Sequence, residues 1–136
     1  MEPAKRPRIL VVDDDPINVC ILEEILAEQY ELATAGNGEE ALEKAPAFKP
    51  DLVLLDIMMP GIDGYEVCRR LKSNPRLRDA KVILVSAKAM LSERLEGYES
   101  GADDYLTKPF DDAELMAKVR VFLRLKSIEE IDRFKT

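Results

Sequence analysis

The sequence predicts an α/β fold: one doubly wound domain in which a five-stranded parallel sheet carries helices on both faces. Three observations predict it. Five short apolar runs lack the polar alternation of half-exposed strands, which marks strands buried on both sides. Longer stretches between them place apolar residues at helical spacing, and strand–helix alternation calls for parallel crossover connections. The length of 136 residues, 46% hydrophobic and 35% charged, suits a single domain that needs no staple or metal to fold.

The elements follow in order. Ile9-Leu10-Val11-Val12 is the first strand and stops abruptly at Asp13-Asp14-Asp15. Asp15 then Pro16 supply an N-cap and a proline at the first helical position, and Ile17, Ile21, Leu22, Ile25 and Leu26 carry the helix to about Glu28. Glu31 to Ala35 is a short, weaker strand. Asn37-Gly38 breaks the chain before a helix from Glu39 to Ala45 that Pro46 closes. Asp51 to Asp56 is a buried strand ending in an acid, and Pro60-Gly61-Ile62-Asp63-Gly64 is a loop by composition. Tyr65 to Lys72 has the apolar spacing of a helix, through Val67 and Leu71. Lys81 to Ser86 is the fourth strand, and Met90 to Ser100 a helix with Leu91, Leu95 and Tyr98 on one side. Asp104 to Thr107 is a short fifth strand, and a long helix begins at Asp111.

Composition removes whole classes of function. There is no histidine, which excludes Ser-His-Asp and Cys-His nucleophile systems and imidazole acid–base chemistry within this chain. The net charge of −7 argues against a nucleic-acid backbone or an anionic membrane as a direct partner. Cys20 and Cys68 form no CxxC or zinc pattern and read as reduced thiols of a cytoplasmic protein, inert in packing or at the surface. No run approaches the length of a membrane span, and residues 1–7 form a polar, proline-broken arm rather than a signal peptide.

In parallel α/β sheets the chemistry gathers beyond the carboxyl ends of the strands. Those ends carry Asp13, Asp14, Asp56, Ser86 and Lys108. Three carboxylates close together repel unless a cation joins them, and the economical cation is a hard divalent ion with oxygen ligands, Mg²⁺ foremost. A lysine and a serine hydroxyl are then the donors for a phosphoryl group, and the nucleophile is a carboxylate. Asp15 is read as an N-cap only, Gly61 and Gly64 as loop formers, and Thr107 as an ordinary strand residue.

These residues resemble the receiver domain of two-component response regulators. Val12-Asp13-Asp14 is similar to its acidic pair, and Leu54-Leu55-Asp56-Ile57-Met58-Met59-Pro60-Gly61-Ile62-Asp63-Gly64 to its acceptor strand and loop. Ser86-Ala87 resembles its hydroxyl-plus-small pair, and Tyr105-Leu106-Thr107-Lys108-Pro109-Phe110 its switch aromatic and lysine–proline turn. Each motif alone is worthless; five in register on the right strand ends are specific. The resemblance implies a flavodoxin-like strand order 2-1-3-4-5 and a receiver spanning residues 8–123.

It also implies roles. Asp56 accepts a phosphoryl group from a phosphohistidine on a sensor histidine kinase or histidine phosphotransfer protein. Asp13, Asp14, Asp56 and the backbone carbonyl of Met58 hold Mg²⁺ (Mn²⁺ could substitute), with Asp14 the stronger candidate for direct contact. Lys108 pairs with Asp56 and afterwards with the phosphate. Ser86 and Tyr105 are the switch, the serine moving to a phosphate oxygen and the tyrosine rotating inward. The chain would be no enzyme in the ordinary sense, catalysing only its own phosphorylation and dephosphorylation while regulating an output domain or effector. Lys108–Pro109 is a candidate for a cis bond, which proline makes accessible in tight turns. Met58 and Lys88 flank the path of an attacking water and are the candidates for tuning the lifetime, expected to be moderately long.

Past Leu123, Leu125, Ile128, Ile131 and Phe134 continue at spacings of about three among mixed charges. Residues 124–136 therefore read as a frayed helical tail, or as a linker or short coiled coil that leads to an output domain or pairs two receivers. A phosphorylation-dependent homodimer follows from the last reading, and the chain is either a single-domain regulator or a piece of a longer one. Two other functions compete. A haloacid-dehalogenase-type phosphatase needs a second acid and a threonine where Ile57-Met58-Met59 stand. A receiver-fold docking module without phosphorylation fits chains that lack the acceptor or the lysine, and this one has both.

Overall fold

The computed structural model describes residues 6–87 and 90–135, with side chains through Asp132. Its elements are β1 (Arg8–Val12), α1 (Pro16–Leu26), β2 (Glu31–Ala35), α2 (Gly38–Phe48), β3 (Leu52–Asp56), α3 (Gly64–Ser73), β4 (Lys81–Ser86), α4 (Leu91–Glu99), β5 (Asp104–Thr107) and α5 (Asp112–Lys135). The strands form one parallel sheet in the order β2-β1-β3-β4-β5, the order the resemblance implied.

The apolar runs are continuous because successive side chains enter different cores. Leu10, Val12, Val53, Leu55, Val82 and Leu84 meet Ala41, Val67 and Leu71 of α2 and α3 on one face. Ile9, Val11, Leu52, Leu54, Ile83 and Val85 meet Leu22, Leu26, Leu115 and Val119 of α1 and α5 on the other. A polar residue at either parity would sit in a core, so polar groups are pushed to the strand ends. Register then aligns those ends: Val12 lies opposite Leu55, Asp56 opposite Val85, and Ser86 opposite Thr107.

The helix limits differ from the sequence expectations in instructive places. α1 starts as expected, with the Asp15 carboxylate accepting from the Ile17 N–H, but ends at Leu26, the last residue of its buried stripe. Pro46 does not close α2. It lies inside the helix, which runs to Phe48 and ends at Lys49, left-handed at φ 55°. Proline forfeits only its own bond to the carbonyl four residues back, and the Lys49 N–H still reaches the Ala45 carbonyl at 2.8 Å.

α4 departs from the amphipathic expectation. Leu91, Leu95 and Tyr98 do share a side, but they are 63%, 50% and 46% exposed, and Gly97 is the buried residue of the helix. α5 is not frayed after Leu123: it continues as one helix of 24 residues. Lys126 reaches Asp51 at 3.0 Å, and Glu129 reaches Lys81 at 2.8 Å, so the tail is pinned to the amino ends of β3 and β4. Leu125, Ile128 and Ile131 face solvent, while the side chain of Phe134 lies outside the described residues. Cys20 is exposed, Cys68 buried, and both are free thiols. Among the described residues, no helix is long and apolar enough to cross a membrane.

Candidate functional site

Three strand ends deliver the site. β1 ends at Val12, and the next residue, Asp13, is 4% exposed while Asp14 is exposed. The Asp13 N–H donates to the Ala35 carbonyl, and its Oδ1 accepts from the Asp15 N–H at 2.9 Å, which fixes the acidic turn. β3 ends at Asp56 itself, whose Oδ1 accepts from the Met58 N–H at 3.3 Å. β5 leads into Lys108, whose N–H donates to the Ser86 carbonyl at 2.8 Å, and the bond from Lys108 to Pro109 is cis.

The side chains converge. One carboxylate oxygen each from Asp13, Asp14 and Asp56 lie within 4.8 Å of one another. The Lys108 ammonium is 3.1 Å from Asp13 Oδ2 and 3.8 Å from Asp56 Oδ2, so it bridges the two, with the shorter contact to Asp13 rather than Asp56. Among the described residues, it supplies the ion pairs to this cluster. Burial holds the Asp56 carboxyl above its ordinary range; Lys108 and the Met58 amide pull it down, while Asp13 and Asp14 push it further up. The donor set is all hard oxygen, and three carboxylates against one ammonium leave an excess of two negative charges. That is the charge and chemistry a Mg²⁺-sized ion matches. The residues present fit the metal.

Glycine makes the close approach possible. A Cβ on Gly64 would lie 2.5 Å from the Asp56 carbonyl oxygen, because α3 begins directly on the end of β3. The loop between them is also held from α2: Glu39 Oε1 accepts from the Ile62 N–H at 3.2 Å, over Gly61 at φ 81°. Gly61 and Gly64 are thus more than loop formers.

Ser86 is 1% exposed and ends β4. Tyr105 is 7% exposed, so its ring already points inward in this structure, against Leu84 and Gly97. Its phenol is pushed up by burial, with hydroxyl contacts to Ser86 and Tyr65 acting the other way. Met58 is 58% exposed beside the site. Lys88 lies outside the described residues. Beside the cluster, a cleft of about 420 Å³ between α1 and the β5–α5 turn is lined by Asp13, Ile21, Leu22, Lys108 and Phe110.

The whole pattern is shared with known proteins. Residues 9–120 match the response regulator receiver domain family. This chain belongs to that family. It is 50% identical over 122 residues to the response regulator PleD of Caulobacter vibrioides, covering 89% of this chain and 27% of that one. It is 41% identical over 119 residues to the DNA-binding dual master transcriptional regulator RpaA of Synechocystis, covering 87% of this chain and 49% of that protein. The receiver thus spans from about a quarter to about half the length of these curated relatives. A CheY-like receiver domain protein from Methanospirillum hungatei superposes with a TM-score of 0.86 at 30% identity, covering 92% of this chain and 99% of that one. A BeF3-activated DrrB receiver domain gives 0.80 at 38% identity, over 88% and 98%.

Receiver domains of two-component response regulators generally use Mg²⁺, and this one brings Asp13, Asp14 and Asp56 together as an acidic cluster that could hold a metal ion. Histidine kinases and output effectors are the partners the family implies. Sequence reasoning overlooked two residues around the site. The sequence pattern marks Glu39 only as a helix residue and Tyr65 only as the start of a helix. A phenol on a helix face that packs against the sheet was the available signal for Tyr65, since a buried hydroxyl must find partners.

Proposed function

We propose that Asp56 accepts a phosphoryl group from a phosphohistidine partner and that the resulting acyl phosphate resets the surface around Ser86 and Tyr105. The observation that carries this is the cluster itself: Asp56, at a buried strand end, faces two further carboxylates within 4.8 Å and an ammonium at 3.8 Å.

An Asp56 carboxylate oxygen attacks phosphorus, the P–N bond to the donor breaks, and the departing nitrogen leaves with the bond's electron pair and takes up a proton. Burial serves this step by stripping the nucleophile of water. Lys108, set between Asp13 and Asp56, is positioned to follow the charge as it moves onto phosphate oxygens. Ser86, one strand away, supplies a hydroxyl donor to another oxygen. Asp13, Asp14, Asp56 and the Met58 carbonyl would hold Mg²⁺ or Mn²⁺, which would supply positive charge against the carboxylates and the incoming phosphoryl group. The apolar wall of Ile21, Leu22 and Phe110, with exposed Ile17 on the same helix, offers a seat for the donor protein beside the acids. The chain in this reading is a cytoplasmic regulatory domain, catalytic only toward its own phosphoryl group.

Incubation with Mg²⁺ and phosphoramidate, followed by intact mass, tests the reading. One added phosphoryl group is expected, absent in Asp56→Asn and in EDTA. No adduct on the wild type sinks it in favour of a docking module, and steady turnover of unrelated phosphate esters would favour a phosphatase.

A further inference from the structure

Two glutamates stand in the first turn of α2, and they serve different partners. Glu40 serves its own neighbourhood: its carboxylate accepts from the Gly36 N–H at 3.2 Å and pairs with Lys44 at 2.9 Å. Glu39 reaches out of the helix instead. Its Oε1 accepts from the Ile62 N–H at 3.2 Å, 23 positions along the chain, and among the described residues it pairs with no cation. Both carboxylate oxygens crowd the turn there: a Cβ on Gly61 would be 2.7 Å from Oε1 and 3.1 Å from Oε2. A residue without a Cβ leaves room for that contact, and Gly61 also takes the left-handed φ of 81°.

The segment that Glu39 grips, residues 57–63, joins Asp56 to α3 and carries the Met58 carbonyl. Its base is closed by the Gly64 N–H, which donates to the Ile57 carbonyl at 3.0 Å. The limb next to the acids is fastened by the Met58 N–H to Asp56 Oδ1 at 3.3 Å, and by the buried side chain of Met59. On the other limb Ile62 packs against the start of α2, where a Cβ on Gly38 would lie 2.6 Å from its Cγ1. Asp63 turns the other way and caps α3, accepting from the Glu66 N–H at 2.9 Å. Among the described residues, Glu39 is the one side chain from beyond β3 and α3 that is hydrogen-bonded to the backbone of this segment.

We infer that Glu39 is a positioning residue for the metal site: by fixing Ile62 it holds the β3–α3 connection in the conformation from which the Met58 carbonyl serves as a ligand. This rests on the reading of Asp13, Asp14, Asp56 and Met58 as Mg²⁺ ligands given above. A backbone ligand has no rotamer of its own, so its place is set by the path of the chain on both sides of it. A connection that is ordered beforehand loses less freedom when a ligand binds, and affinity rises accordingly. The Met58 N–H is tied to Asp56, the group that reacts, whereas Glu39 ties the connection to α2, which takes no part in the reaction. An acid is favoured near any helix N-terminus, but that accounts for the charge of Glu39 and not for its contact with Ile62.

Glu39→Ala removes the acceptor, and Glu39→Gln keeps an amide oxygen for the Ile62 N–H while removing the charge. Mn²⁺ binding to each protein is measured from the loss of the free-ion signal in electron paramagnetic resonance, and the portion absent in Asp14→Asn is assigned to this site. Glu39→Ala is expected to raise the dissociation constant by about fivefold, the scale of one hydrogen bond, and Glu39→Gln by less than about twofold. Urea unfolding in EDTA is followed on the same proteins. A merely structural contact would lower stability there and leave the dissociation constant where it is, so an unchanged constant in Glu39→Ala overturns the inference. A Glu39→Gln variant as weak as Glu39→Ala overturns it too, because the effect would then belong to charge at a distance. No site-specific Mn²⁺ binding in the wild type overturns the metal reading, and this inference falls with it.

Discussion

The two rims of the sheet are built from the same residue types to opposite ends. At the amino rim Asp51 and Asp103 each have a cation and a backbone donor. Asp51 accepts from the Arg8 N–H at 2.8 Å and pairs with Lys126 at 3.0 Å. Asp103 accepts from the Val82 N–H at 2.8 Å and from Lys72 at 2.9 Å, and Lys81 is held by Glu129. At the carboxyl rim three acids cluster and, among the described residues, Lys108 supplies the ion pairs, to Asp13 and Asp56. The first arrangement is closed and the second is left short of a cation. Stability is kept at the closed rim, and electrostatic tension is kept where the proposed metal and phosphoryl group would sit.

Substitutions at the two rims should therefore move different observables. Lys108→Ala is expected to slow phosphoryl uptake by on the order of 10²-fold, as losing one charged donor does in a preorganised site. Single-turnover kinetics with phosphoramidate measure it, and an unchanged rate would show that Lys108 only balances charge. At the other rim, Asp103→Ala removes the acceptor of the Val82 amide and the carboxylate partner of Lys72, which keeps the Ala80 carbonyl, and should cost about 1–3 kcal/mol in urea unfolding, with uptake preserved.

Asp56→Asn provides the sharpest contrast, because removing a charge here should stabilise the metal-free protein at neutral pH. The sign follows from the direction of the shift. A folded-state pKa raised by burial means that the folded form holds the proton more tightly, so its contribution is full below the unfolded value of about 3.9 and is lost as pH rises through the folded value. At pH 7 the wild type has lost that contribution and the asparagine variant, which does not titrate, has lost nothing. The stability gap measured in EDTA should close as the pH approaches 4. A variant less stable than wild type at pH 7 would contradict the tension ascribed to this rim. The smallest effect is expected from Lys126→Ala, about 1 kcal/mol for a partly buried pair, seen as faster amide exchange in α5 after Leu123.

How much of this was legible follows from where the residues sit. Asp13, Asp56, Ser86 and Lys108 stand out because each interrupts or ends an apolar run, and a strand buried on both faces tolerates a polar group only at its end. The fold was legible for the same reason. Pro46 misled because proline is read as a stop, whereas in the last turn of α2 it costs a single hydrogen bond. The side of α4 formed by Leu91, Leu95 and Tyr98 misled because periodicity reports a face, not what covers it. The pinning of the tail was hidden in residues read as a solvated stripe: Lys126 and Glu129 find partners at Asp51 and Lys81, 75 and 48 positions away, and no local pattern encodes a meeting of that kind.

α5 touches both rims. Its first residue, Asp112, lines the cleft beside Lys108, and Glu129 is fastened to Lys81 at the opposite end of the sheet. At 1.5 Å per residue those points are about 26 Å apart along a stiff rod. With the far end pinned, a swing of about 5° carries the near end by about 2 Å, the size of one displaced side chain. As a stiff rod fastened at the inert rim, the helix would convert a displacement beside the acids into an angle.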